Sequence, residues 1–371
     1  MAPRGLTSVH KTSQNKRRVG HAQSRAEPSS RRRLAGLDRA DAAFAPVAAL
    51  VHEIAHAAVE MADLISLGLL GGDGAAAVGD VNAGGDVQKH LDVFGNDLFV
   101  NALRGAPVAA VLSEELEEPL VLDPQATLAV AMDPVDGSSN INANVSIGTI
   151  FSVLPVVSGA SDARAHFLQP GRNQLAGGFI IYGPQTGLVL AAAGTTQIFI
   201  LDRRIGAFVR THDGINIPRK SKEYAINASN YRHWAPSVRT FVDDCIKGTE
   251  GPLGQEQNMR WIASLVAEAY RILARGGVFL YPGDMRQGYS AGRLRLIYEA
   301  NPISLIIENA GGTATDCARR ILDIQPTDIH ARTPFVFGSD EVVRLITRYH
   351  TDPQFSAEHS PLFGRRGLMR F

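Results

Sequence analysis

Leu128-Ala129-Val130-Ala131-Met132-Asp133-Pro134-Val135-Asp136-Gly137-Ser138-Ser139-Asn140 is an apolar run that ends in acids, a glycine and serines. The run Leu128–Met132 reads as a strand, so the polar octet that follows sits at its C-terminal end. Pro134 fixes the backbone between two carboxylates three positions apart, and Asp133 and Asp136 can then face one cation. Hard divalent ions such as magnesium take oxygen ligands of this kind. Gly137 lets the backbone approach a ligand, while the amides and hydroxyls of Ser138 and Ser139, opening a helix, suit a phosphate. A surface turn draws on the same residue types. Eight of them directly behind a buried strand would make an unusual turn.

Other acids stand at comparable places. Ser113-Glu114-Glu115 closes the apolar run at 109–113. Neighbouring carboxylates at a strand edge repel unless cations or protons neutralise them, which suits a metal ligand beside a proton-handling group. A solvated acidic loop is the alternative there. Asp92 falls within a mostly apolar helix and needs solvent or a partner. Glu299 lies where an apolar stretch leads into a helix, and a helix N-terminal acid is the ordinary reading of such a residue.

Working outward, helical spacing predicts one long helix over 46–68 and a second over 86–103, separated by a Gly-rich, mobile stretch at 79–85. His52 and His56 lie one turn apart on the first, with no third ligand nearby, and read as helix-face residues. Strands follow at 108–113, 128–132, 146–156, 175–183, 187–193, 196–202 and 206–213. Polar, basic residues at 217–224 mark a boundary. Beyond it helices at 236–247, 256–275, 294–310 and up to about 350 alternate with strands at 277–282 and 335–339. The expected organisation is a disordered basic tail (1–41), a metal-binding half (42–215), a sugar-phosphate-binding half (216–355) and a second tail (356–371), in an α/β layered fold with mixed sheets.

Bulk properties agree. A 371-residue chain with 45% hydrophobic residues can bury a large core. Lys+Arg and Asp+Glu are equal at 37 each, which argues against a nucleic-acid partner. The cations concentrate in the first 40 residues, leaving an acidic body suited to a metal site. Cys245 and Cys317 alone exclude a disulfide framework and a thiolate zinc site. No apolar run is long enough to span a membrane.

The segments GDVQKHLD, LSEE, DPVDGSSN, SIGTIF, LQPGRNQLAGG, INASNY, YPGD, GRLRLIYEANP and PTDIHARTPFVFGS, in this order between about Pro46 and Tyr349, resemble class I fructose-1,6-bisphosphatase. YPGDMRQGYSAGRLRLIYEA is more similar to its bacterial Calvin-cycle branch. The resemblance implies the layered αβαβα sugar-phosphatase fold, a cytoplasmic homotetramer, and hydrolysis of the 1-phosphate of D-fructose 1,6-bisphosphate to fructose 6-phosphate and phosphate by metal-activated water. It also implies about two or three Mg2+ ions per subunit, with Mn2+ as a substitute. By the same resemblance Glu114, Asp133, Asp136, Glu299 and the Val135 carbonyl hold the metals. Asp92 and Glu115 activate water, and Asp86 belongs to a loop that closes over the site. Asp136, Gly137, Ser138 and Ser139 hold the transferred phosphate. Asn227, Tyr231, Tyr281, Arg293 and Arg260, the last from a neighbouring subunit, take the second phosphate.

Departures matter as well. Arg293 replaces a customary lysine, and Trp261 a customary tyrosine. Thr127, Leu128 and Pro155 stand where AMP-inhibited members carry lysine, tyrosine and arginine, so AMP inhibition is not expected. The main alternative is a dual fructose-1,6-/sedoheptulose-1,7-bisphosphatase. An inositol-phosphatase-like enzyme would lack the second-phosphate residues.

Overall fold

A computed structural model describes residues 44–68 and 83–352, with side chains described at 44–68 and 90–352. The two expected tails and most of the Gly-rich stretch fall outside the described residues. Two helices open the fold, α1 (Ala45–Leu67) and α2 (Ala83–Leu103). Ala83–Gly85 form the first turn of α2, so Asp86 belongs to that helix and not to the loop before it; a first turn tolerates glycine because its amides lack intrahelical partners anyway. The side chain of Asp86 lies outside the described residues.

Eight strands follow: β1 (Val108–Ser113), β2 (Leu120–Val121), β3 (Leu128–Asp136), β4 (Ile147–Pro155), β5 (Ala176–Tyr182), β6 (Thr186–Ala192), β7 (Thr195–Asp202) and β8 (Ala207–Asp213). They form one sheet in the order β2-β1-β3-β4-β5-β6-β7-β8. Only the β1–β3 pair is parallel. From β3 onward each strand pairs antiparallel with the next in sequence, which needs no crossover helix, although the β4–β5 connection is long and holds two short 3-10 turns.

The second half adds β9 (Glu223–Ile226), β10 (Asn258–Met259), β11 (Val278–Tyr281), β12 (Leu294–Arg295), β13 (Thr313–Thr315), β14 (Arg332–Thr333) and β15 (Phe335–Gly338). Its main sheet runs β10-β9-β11-β15-β13, and β12 pairs with β14 separately. The remaining helices are α3 (Pro236–Lys247), α4 (Leu265–Arg275), α5 (Asn301–Asn309) and α6 (Asp340–Thr351).

Three apolar clusters define the layering. Leu50, Ile54 and Met61 of α1 and Phe99 of α2 pack on Val130, Met132, Phe151 and Ile180 of the first sheet. The opposite face of that sheet, through Ile150, Phe179 and Val189, meets Val266 and Ile272 of α4 and Ile303 and Ile306 of α5. Phe279, Phe335 and Phe337 of the second sheet close the same cluster from beyond. Val278, Leu280 and Val336 then cover Phe241 of α3 and Ile346 of α6. The order is helices, sheet, helices, sheet, helices: the αβαβα layering expected above. Both sheets are sandwiched, so their strands read as unbroken apolar runs.

Two helix expectations need correction. Over 256–275 only Leu265–Arg275 is helical; Asn258 and Met259 instead extend the second sheet beside β9. Ala263 adopts a left-handed backbone and Ser264 caps α4, its Oγ accepting from the Ala267 amide, so the helix starts there. Over 294–310, Leu294–Arg295 is β12 and Leu296–Ala300 is a π-turn before α5. Pro302, at the start of α5, cannot donate a hydrogen bond backward into a continuous α-helix.

Candidate active site

Strand pairing brings the acids together. Because β1 and β3 run parallel with Ser113 opposite Met132, the next residues, Glu114 and Asp133, emerge side by side at one sheet edge. The Glu114 amide donates to the Met132 carbonyl at 3.0 Å. On an unbroken strand Asp133 and Asp136 would face opposite sides, since side chains alternate. Here β3 advances three residues from Asp133 to Asp136 while β4 advances two, from Ile150 to Gly148. That bulge turns Asp136 back to the Asp133 side. Thr149 Oγ1 donates to the Pro134 carbonyl at 2.7 Å and lies 2.9 Å from the Tyr182 hydroxyl, which pins the bulge. The Val135 amide donates to Asp133 Oδ1 at 3.0 Å.

Glu299 arrives from the other half of the chain. It lies in the π-turn, and the Arg295 amide donates to its Oε2. Carboxylate oxygens of Asp133, Asp136 and Glu299 all lie within 4.8 Å of one another, and all three residues are buried. The Val266 amide, in the first turn of α4, faces Asp136 Oδ2 at 3.4 Å and aims the helix's positive end at it.

The cost of this crowding appears in the acidities. Burial, then the Glu114 charge, then Asp136 and Glu299 push the Asp133 carboxyl well above the usual range, and a hydrogen bond with Glu114 holds a proton there. Glu299 is raised well above its ordinary value by burial, then by Glu114 and Asp136. Burial lifts Asp136 to about 7 against the pull of the Val266 amide. Arg295 offsets part of the repulsion, with Nε 3.8 Å from Glu114 Oε1. Sequence reading missed Arg295, which lies on β12, because its contact with Glu114 joins distant segments and no local spacing signals it. Acids that retain protons under such crowding form a donor set a hard divalent cation fits, because the ion replaces those protons.

Beside the cluster, Gly137 takes a left-handed backbone with φ 77°, which opens the turn Ser138–Ala143. Ser138 hydrogen-bonds Asp92, whose carboxyl is nonetheless raised, chiefly by burial and also by the Glu114 charge. Asp92 Oδ1 is buried with no hydrogen-bond partner. Glu115 sits at the surface with its carboxyl partly enclosed, and is raised by that enclosure, then by Asp92 and Glu114. Ser139 is exposed. Asn140 ties the turn to the start of α4, its Nδ2 donating to the Ala263 carbonyl at 2.8 Å.

A second pocket is lined by Asn227, Asn230, Trp234, Tyr281, Asp284 and Arg293, among others. Three of the expected second-phosphate residues therefore share a wall. Tyr231 and Arg260 are not among its lining residues. The Tyr231 hydroxyl donates to Asp243 (2.9 and 3.1 Å to its two oxygens), and Arg260 is exposed with Nε 3.6 Å from Glu223 Oε1. Trp261 stacks on both Phe279 and Tyr281 at 5.8 and 6.1 Å between centroids. His52 uses Nδ1 within its own helix, 2.6 Å from the Ala48 carbonyl.

Acids that call for a cation, next to a turn whose amides and hydroxyls can meet an anion, within an αβαβα fold: these define a divalent-metal-dependent phosphatase. Comparison with known proteins agrees with that class. Residues 45–213 match the family described as fructose-1-6-bisphosphatase, N-terminal domain, and residues 217–351 match its C-terminal domain. Class 1 fructose-1,6-bisphosphatases of Sinorhizobium medicae and Rhizobium meliloti are each 56% identical, over 87% and 90% of this chain and 93% and 95% of their own lengths. The solved holo structure of Leishmania major fructose-1,6-bisphosphatase superposes with a TM-score of 0.73 at 33% identity, covering 82% of this chain and 94% of that one. The chain belongs to the class 1 fructose-1,6-bisphosphatases, and its reaction is hydrolysis of fructose 1,6-bisphosphate. Among the described residues no helix is long and apolar enough to cross a membrane.

Proposed function

We propose that the 1-phosphate is the group removed, by water activated between Asp92 and Glu115, with Glu114, Asp133, Asp136, Glu299 and the Val135 carbonyl holding about two or three magnesium ions that manganese can replace. The observation that carries this reading is the mutual approach, within 4.8 Å, of buried carboxylates from two distant segments. Bound there, divalent ions supply charge for the transferring phosphoryl oxygens and the departing alkoxide. The chain's own groups do the rest. Asp92, with one buried oxygen unpartnered and its acidity weakened by burial, is suited to take a proton from water. Glu115, raised in part by Asp92, shares that proton across the pair. Ser138, Ser139 and the amides after Gly137 hold the phosphoryl oxygens.

In this reading the pocket of Asn227, Tyr281 and Arg293 takes the second phosphate. Tyr231 reaches it on release from Asp243, and Arg260 serves the site of a neighbouring subunit in a homotetramer. Asp86, near the start of α2, is a further acid that the family resemblance associates with the site. The enzyme acts in the cytoplasm without a nucleic-acid partner. AMP inhibition is not expected, because Leu128 pairs with Pro155 at the far end of β3 and β4 and offers a nucleotide phosphate no cation.

The test measures phosphate release from fructose 1,6- and sedoheptulose 1,7-bisphosphate, with and without magnesium, for the intact protein and for Asp136→Ala. Metal-dependent release from the first substrate, lost in a folded Asp136→Ala, supports the reading. Release that survives the substitution refutes the assigned ligand set. Comparable turnover of the second substrate makes the enzyme dual.

A further inference from the structure

One wall of the second pocket is built in a way that the family reading does not use. The guanidinium carbon of Arg293 lies 3.9 Å from the centroid of the Tyr289 ring, and that of Arg286 lies 4.8 Å from the same centroid. Tyr289 is itself anchored by its main chain. Its amide donates to the Arg286 carbonyl at 3.1 Å, while its carbonyl accepts from the Asp284 amide at 3.1 Å and the Gly292 amide at 3.0 Å. The loop's main chain therefore fixes the backbone from which the ring projects.

The two arginines are treated differently. Arg286 is consumed by protein: Nε donates to Asp284 Oδ1 at 3.0 Å, and a terminal nitrogen donates to Asn230 Oδ1 at 3.0 Å. The Arg286–Asp284 bond also keeps Asp284, a pocket-lining acid, below the usual carboxylate range and neutralised by its partner. Arg293 lines the pocket and, among the described residues, has no carboxylate partner. Stacking engages only the face of a guanidinium, so its N–H groups, which lie in the plane, stay available as a fork for phosphate oxygens. A lysine could not be oriented this way, since its ammonium has no plane to stack.

We propose that Tyr289 is a positioning residue for the second phosphate, holding the Arg293 guanidinium flat so that its donor edge serves the anion. Asp284 and Asn230 hold Arg286 against the same ring and prevent the wall from presenting a bare carboxylate. The inference rests on the reading that this pocket takes the sugar's second phosphate.

The experiment compares Tyr289→Leu, Tyr289→Phe and Arg293→Ala in the full-length, magnesium-loaded enzyme. Competitive inhibition by fructose 6-phosphate, which carries only the second phosphate, is read beside inhibition by inorganic phosphate, and KM for fructose 1,6-bisphosphate is followed. Loss of the stacked orientation in Tyr289→Leu weakens fructose 6-phosphate inhibition and raises KM by about tenfold, with a far smaller effect on inorganic phosphate. Tyr289→Phe, which keeps the ring, stays within about twofold of the parent. If Arg293→Ala weakens fructose 6-phosphate inhibition but Tyr289→Leu does not, the positioning role is wrong. An equal weakening of both inhibitors in Tyr289→Leu marks general loop damage and overturns it as well. Should Arg293→Ala leave fructose 6-phosphate inhibition intact, the pocket assignment itself fails and the role of Tyr289 falls with it.

Discussion

Replacing Asp136 by asparagine should stabilise the metal-free protein while abolishing its metal-dependent activity. The side chain keeps its shape and an oxygen to accept from the Val266 amide, but it can no longer become a buried anion among Glu114, Asp133 and Glu299. Folding moves the Asp136 acidity from 3.8 to about 7. At 1.36 kcal/mol per pH unit, that range corresponds to a ceiling of about 4 kcal/mol. The sign follows from proton linkage. A carboxyl raised on folding contributes stability that is complete below the unfolded acidity near pH 4 and is lost as pH climbs through 7. Parent and variant should thus unfold alike near pH 4 and diverge until about pH 8, with the variant more stable above pH 7. The assay is urea or thermal unfolding in a chelator at several pH values, repeated with magnesium. At about one hundred times its dissociation constant the cation adds about 2.7 kcal/mol to the parent. It should add clearly less to Asp136→Asn. A variant less stable than the parent at pH 8 without metal, or one with undiminished magnesium-dependent activity, would refute the account of the cluster.

Other consequences follow from individual contacts. Ser138→Ala removes a hydrogen bond that favours the Asp92 carboxylate and holds its pKa down, so the acid limb of the kcat/KM profile should move to higher pH, read from rates between pH 5 and 9. Gly148→Ala places a methyl 2.4 Å from the Ile180 carbonyl and 2.7 Å from Val266, which must shift the start of α4 away from Asp136. A loss of about 1–3 kcal/mol in chemical unfolding, with weaker magnesium activation, is expected. Glu268→Ala takes away one of the two carboxylates that hold Arg271, which keeps Glu223, and frees the Ile262 amide that Glu268 binds at 2.7 Å. Denaturant unfolding should show a cost of about 1–3 kcal/mol, because enclosed donors lose an acceptor while the Arg271 charge stays paired.

How far the sequence reaches is clearest at three places. LAVAM alternates faces as strand residues must: Leu128, Val130 and Met132 enter the cluster with α1, while Ala129 and Ala131 enter another on the opposite side. A short apolar run with an acidic, Gly-Ser end was enough to locate the chemistry, because strand burial and turn chemistry are local. The segments 256–264 and 294–295 read as helix because their apolar spacing is compatible with one, and the helix expected to run on through 296–310 opens as a π-turn. Their conformations follow from sheet pairing at Asn258–Met259 and from the π-turn that carries Glu299.

The residue types of the site were thus written in the chain itself: the acids of DPVDGSSN and LSEE, the glycine that permits φ 77°, and the layered succession of helices and strands. Their convergence was not. That Asp136 faces the Asp133 side depends on one extra residue in β3 against β4, and that Glu299 completes the cluster depends on contact between halves of the chain about 160 residues apart. Likewise, nothing local announces that Arg293 shares a pocket with Asn227. Local pattern dictates which face a side chain prefers, whereas register, bulge and packing across layers are settled only when distant segments compete for the same buried space.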